Sequence, residues 1–141
     1  MNKKFIIFPI IVIVGIIIIS LDENDDDSDI IFHVTLAKPE LYVDGIYSEF
    51  FTIEKGNYNF RFVPSGSSPN ILTISIIGED FDFKQNFHLK NTLHQTGISE
   101  YFTWEYDGTH SFTIPKSGEV KILINPNGNT MGSVSVDILE K

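Results

Sequence analysis

The sequence predicts an all-β fold, a two-sheet β-sandwich of about eight or nine strands, carried behind one N-terminal transmembrane helix. Three observations predict it. Residues 5–21, FIIFPIIVIVGIIIISL, hold no charge, and only Ser20 is polar. From residue 30 onward apolar and polar side chains alternate in short runs, the period of two that places successive side chains on opposite faces of a strand. Turn residues punctuate those runs roughly every 8 to 12 positions, and no stretch after the anchor has a helical period.

The apolar run comes first in the chain. Seventeen residues in a helix span roughly 25 Å, slightly less than a ~30 Å hydrocarbon core. Lys3 and Lys4 can snorkel at its edge, and Pro9 and Gly15 are tolerated in membrane helices. A buried core helix would show a polar face, and a buried strand would be shorter. A cleaved signal peptide is the rival reading, but Ile18-Ile19-Ser20-Leu21 lacks the paired small residues of a cleavage site, and there is no Cys for lipidation. Lys-Lys on the short side places the N-terminus in the cytoplasm and the remaining chain outside. The expected location is therefore the cell membrane, single-pass, with residues 5–21 in the bilayer.

Residues 22–29, DENDDDSD, form an acidic spacer whose like charges repel and keep it extended. Asp22, Asn24 and Asp26 match the first ligand positions of an EF-hand loop. Asp27 then stands where that loop needs Gly, and His33 where it needs Glu, so the spacer reads as a stalk.

Residues 30–141 are the expected extracytoplasmic domain. Ile30, Phe32, Val34 and Leu36 make the first strand, which Pro39 ends. Phe51 and Ile53 precede a turn at Glu54–Asn57, and Tyr58, Phe60 and Phe62 then share a face. After the loop Pro64–Asn70, Leu72, Ile74 and Ile76 alternate, and Phe81, Phe83 and Phe87 mark the next strand. Residues 88–99, HLKNTLHQTGIS, show no regular pattern and read as a loop. Phe102, Trp104 and Tyr106 alternate up to Asp107-Gly108, a pair suited to a tight hairpin turn before Phe112 and Ile114. Val120, Ile122 and Ile124, then Val134, Val136 and Ile138, complete the set around the turn Asn125–Asn129. Either a jelly-roll or an immunoglobulin-like topology fits, with a small closed barrel as the alternative; the Cys…Trp…Cys spacing of antibody domains is absent.

Composition narrows the function classes. The chain has no cysteine, which excludes disulfides, thiolate metal sites and cysteine nucleophiles. Residues 30–141 carry 8 Lys and Arg against 13 Asp and Glu, the opposite of a nucleic-acid footprint.

The segments FTIEKGNYNFRFVPSGSSPN, HQTGISEYFTWEY and INPNGNTMGSVSVDIL resemble those of a group of small, single-pass archaeal proteins of no known activity. The resemblance covers most of residues 34–139, and INPNGNTMG is its most distinctive part. It implies a membrane-anchored β-sandwich, and it implies no activity and no site residues.

Candidate chemistry is sparse. His88, His94 and His110 could hold a metal if the 88–99 segment folds over the hairpin, because such a site needs about three converging ligands. Asp80 with Asp82, or Glu100 with Glu105, has the residue types of a glycosidase pair but reads as outward strand carboxylates. Tyr101, Trp104 and Tyr106 offer flat amphipathic rings for a sugar or a protein partner, while Phe102, Trp104 and Tyr106 also read as one core-facing stripe. No nucleophile elbow, zinc-protease motif or phosphate loop occurs. The expectation is a non-enzymatic binding module, without a cofactor, that recognises a cell-envelope protein or glycan through residues 88–99. A carbohydrate-binding module and a small His-based metal-binding protein are the alternatives.

Overall fold

The alternating runs become nine strands in a computed structural model that describes residues 29–141. They are β1 (Ile30–Leu36), β2 (Tyr47–Ile53), β3 (Gly56–Val63), β4 (Ile71–Gly78), β5 (Phe81–Gln95), β6 (Glu100–Asp107), β7 (Ser111–Ile114), β8 (Gly118–Asn125) and β9 (Val134–Glu140). Their Ile, Val, Phe and Tyr content suits a pleated, half-buried surface. A single 3-10 turn, Pro39–Leu41, follows β1. The membrane span at 5–21 and the spacer up to residue 28 lie outside the described residues. Among the described residues no helix is long and apolar enough to cross a membrane.

The strands form two sheets, of order β1-β9-β3-β7 and β2-β8-β4-β5-β6. Most of this order follows one scheme. β1 lies beside β9, β2 beside β8, β3 beside β7 and β4 beside β5, so the chain is a long ribbon folded back on itself. Alternate pairs of the ribbon fall in opposite sheets, joined laterally by β3 with β9 and β4 with β8. β6 stands outside the scheme, because among the described residues it pairs with β5 alone.

The core is the set of inward positions that alternation marks. Leu72, Ile74 and Ile76 of β4 and Ile122 and Ile124 of β8 face Phe60, Phe112, Val136 and Ile138 of the other sheet, all buried. Phenylalanines fill the space between them: Phe60 lies 4.8 Å from Phe112, and Phe62 lies 4.8 Å from Phe87, centroid to centroid. Burial of these apolar side chains is the main driving force for the fold.

Two local expectations are corrected. Asp107-Gly108 does not close a hairpin, since β6 and β7 belong to different sheets. Gly108 has φ +153°, and a Cβ there would lie 2.6 Å from Phe87 Cδ1, so glycine lets the chain cross between sheets over a buried ring. Residues 88–95 are not a loop but the second half of the 15-residue strand β5. Its first half pairs with β4, Phe81 opposite Gly78 through His88 opposite Ile71. Its second half pairs with β6, His88 opposite Asp107 through Gln95 opposite Glu100.

That change of partner makes an arm. Past Leu89, β5 has left β4 behind and continues with β6 as a two-stranded ribbon. The short links from β2 to β3 and from β7 to β8 mark one end of the sandwich, and β1 begins at that end. β4 begins at the opposite end, so the arm extends from the end away from the start of β1.

Candidate interaction surface

The arm is held open by its own turn. Thr96 N–H donates to the Ser99 carbonyl (2.8 Å), and Ser99 N–H donates to Thr96 Oγ1 (3.0 Å). With Gln95 opposite Glu100, the four residues Thr96–Ser99 close the ribbon. Ile98, at the turn, is 100% exposed.

Opposed residues of an antiparallel pair share a face. One face of the arm carries Leu89 with Tyr106, Asn91 with Trp104, Leu93 with Phe102, and Gln95 with Glu100. This face continues the interior of the sandwich, because Phe87 and Tyr106 are buried core residues. Tyr106 is 3% exposed, and its hydroxyl donates to the Pro69 carbonyl (2.6 Å). Burial pushes its phenol well above the ordinary tyrosine range. Trp104 is half-buried and covers Gly66, where a Cβ would lie 3.2 Å from the indole. Beyond Trp104 the opposing layer of the described residues ends. Leu93 is 45% and Phe102 53% exposed, with Phe102 6.4 Å from Trp104. Core-type side chains thus run past the edge of the core into solvent.

The other face carries His88 with Asp107, Lys90 with Glu105, Thr92 with Thr103, and His94 with Tyr101. Lys90 Nζ is ion-paired with Asp107, whose hydrogen bond and charge raise the lysine above its ordinary value. His94 stacks on Tyr101 at 4.9 Å and 14°, and its Nε2 is 2.8 Å from Thr103 Oγ1. A shallow depression of about 660 Å³ lies near the root of this face, beside Lys84, Asn86, His88 and Asp107. Its walls are polar side chains of β5 and of the end of β6, and it is an open strand surface and not an enclosing pocket.

The sequence-selected residues are therefore separated. Tyr101 lies on one face of the arm, Trp104 on the other, and Tyr106 beneath the surface, so the three do not make one platform. His88 and His94 share a face but are three strand pairs apart. His110 is elsewhere, its Nδ1 donating to the Gly108 carbonyl (3.0 Å) and its ring against Phe62 and Phe87. Among the described residues no three His, Asp or Glu side chains are placed to hold a metal. Glu100 and Glu105 fall on opposite faces of β6, and Asp80 lies in the turn before β5.

One further cluster lies on the outer face of the four-stranded sheet. Asp137 of β9 is 3% exposed; Arg61 of β3 donates to it from Nε (3.1 Å) and from a terminal nitrogen (2.9 Å), and His33 Nδ1 of β1 meets its other oxygen. Thr35 Oγ1 is 3.2 Å from His33 Nε2, giving the order hydroxyl, imidazole, carboxylate. The same groups are committed structurally, because Thr35 also bonds Ser135 (3.1 Å) and Arg61 occupies Asp137. The row crosses a flat strand face and works as a clamp tying β1 and β3 across β9.

Sequence reasoning misses Leu93 and Ile98, and it assigns Phe102 to a core-facing stripe, whereas Phe102 is 53% exposed. For Leu93 and Phe102 the signal is a mirror pattern: Leu89 and Tyr106, then Leu93 and Phe102, stand at equal distances from the centre of Thr96–Ser99.

Fold and site together define a two-sheet, sandwich-like all-β domain with a projecting two-stranded arm. Comparison with models of known families, with curated proteins and with solved structures gives no match.

Proposed function

We propose that this chain is a membrane-tethered, extracytoplasmic binding module that recognises a cell-envelope component through the β5–β6 arm. The nested pairing of the other eight strands is the order of a jelly roll, in which β6 has no place, so the sandwich closes without it. The observation that carries the reading is this surplus ribbon, with Leu93, Ile98 and Phe102 held in solvent. Leu93 and Phe102 pack across the strands and steady the ribbon itself, and the area they leave exposed, with Ile98, is apolar surface suited to a partner. The anchor at 5–21 and the acidic spacer support presentation from a membrane surface. The test is capture from detergent-solubilised cell envelopes by immobilised residues 30–141. The triple substitution Leu93→Ser, Ile98→Ser and Phe102→Ser should abolish capture of whatever the unaltered domain retains. Equal capture by both would overturn the role of the arm.

A carbohydrate-binding module is the second reading, favoured by the half-exposed pair Phe102 and Trp104 on one face. Trp104 is the only tryptophan, so quenching of its fluorescence by an oligosaccharide would report that site directly.

A further inference from the structure

The open edge of the arm carries a more specific partner. Among the described residues β6 is the last strand of its sheet, and no strand of theirs lies along one side of its backbone. Which residues face that side is fixed by one hydrogen bond. Leu89 N–H donates to the Asn70 carbonyl (2.8 Å), away from β6. Opposed residues in an antiparallel pair turn their backbone groups together, either both inward or both outward, in alternation. Tyr106, opposite Leu89, therefore points its N–H and C=O to the open side, and so do Trp104 and Phe102. Tyr101, Thr103 and Glu105 spend theirs on β5.

An open row of donors and acceptors is satisfied best by another strand, not by a lipid or a sugar. Natural edges are usually blunted by Pro, by Lys or by a bulge. β6, EYFTWEYD, has no Pro, Lys or bulge, its register with β5 is unbroken, and its carboxylates Glu100, Glu105 and Asp107 flank the central Phe102–Trp104 stretch. The edge is also self-complementary. Antiparallel pairing of two copies about Thr103 sets Phe102 of each copy opposite Trp104 of the other, with both sets of backbone groups pointing at the partner. Thr103 then meets its own counterpart at the two-fold axis, and Tyr101 lies opposite Glu105. No like charges are opposed, and Lys90 stands across from Glu105 within each arm. Aromatic and Thr–Thr cross-strand pairs are among the favourable ones.

We infer that two copies of this chain join arm to arm through β6, in an isologous antiparallel pair centred on Thr103, giving one continuous sheet across the dimer. This deepens the proposed function and rests on the arm being the interaction surface.

The chain has no cysteine, so one introduced thiol reports the seam. Thr103→Cys in the full-length protein, in its membrane, should form a disulfide-linked dimer under mild oxidation. Opposed residues that do not bond each other in an antiparallel pair have Cα atoms about 4.5 Å apart, within disulfide reach. Thr92→Cys, on the same face but one strand back, should cross-link several-fold less. Adding Phe102→Lys, which puts a charge on the seam, should abolish the Thr103→Cys cross-link. Equal cross-linking at the two positions, or a cross-link indifferent to Phe102→Lys, would overturn arm-to-arm pairing. Envelope capture that persists in that case would leave the arm as a binding surface for another partner. Loss of capture by the triple-serine variant alongside an intact Thr103→Cys dimer would instead assign the arm to self-pairing and a foreign partner to the same apolar face.

Discussion

Gly108→Ala tests how the arm is joined to the sandwich. The substitution puts a Cβ 2.6 Å from Phe87 Cδ1 and 3.1 Å from the Asn86 carbonyl, at φ +153°. Phe87 cannot retreat: it is fully buried, with its ring 5.7 Å from Phe60, 4.8 Å from Phe62 and 5.2 Å from His110. Overpacking a filled core costs about 1–3 kcal/mol, and a side chain in this backbone region adds about 1 kcal/mol or more. The expected loss is about 3 kcal/mol, a large part of the ~5–15 kcal/mol that stabilises a domain. Urea unfolding of residues 30–141, followed by circular dichroism and Trp104 fluorescence, measures it. Phe87→Leu alone should cost about 1–2 kcal/mol by removing buried carbon. Combined, the two should cost about 1 kcal/mol less than their sum, because the smaller side chain makes room for the new Cβ. An unchanged midpoint for Gly108→Ala, or strict additivity in the double variant, would refute the packing of Gly108 on Phe87.

Other perturbations have equally definite outcomes. Asp137→Ala strips three donors of their carboxylate; Arg61 and His33 are 37% and 56% exposed and regain water, so the loss should be about 2–3 kcal/mol, less than for a fully enclosed pair, and a loss under about 0.5 kcal/mol in urea unfolding would refute the clamp. Tyr106 is raised above its ordinary value of 10 by burial, so its contribution is fully present below pH 10 and is lost as pH rises further, when the unfolded chain gains by ionising. Tyrosinate absorbance at high pH should therefore rise together with unfolding, and Tyr106→Phe should flatten the decline in stability; absorbance rising fully before unfolding would contradict that burial. Gly132→Ala would set a Cβ 1.9 Å from the Ser67 carbonyl and should prevent stable folding, whereas Gly97→Ala meets nothing within 4 Å and should change the urea midpoint little.

The legibility of this chain followed the solvent. Wherever one face of a strand is buried, alternation was plain, and Leu72, Ile74 and Ile76 or Val134, Val136 and Ile138 could be read as inward without coordinates. Among the described residues no layer covers either face of residues 90–95, so Leu93 is the lone apolar residue among Lys90, Asn91, Thr92, His94 and Gln95, and the segment reads as a loop. Asp107-Gly108 misled for a different reason. Its composition suits a tight turn, but the glycine serves the close approach to Phe87, a contact 21 residues away that no local pattern contains. Tyr101, Trp104 and Tyr106 were attractive as a cluster because they are near in sequence, yet the pleat alone sends Tyr101 to one face and the other two to the opposite face. The clamp on Asp137 joins residues from three strands and had no sequence signal at all.

Amide hydrogen exchange along residues 88–107 is the most direct test that these residues form a rigid ribbon displaying apolar side chains. Tyr101, Thr103 and Glu105, whose N–H groups bond β5, should be protected, while Asn91 and Leu93, which point past the end of β4, should exchange fast. Uniform, rapid exchange across both strands would contradict the ribbon, and with it the surface on which binding and pairing depend.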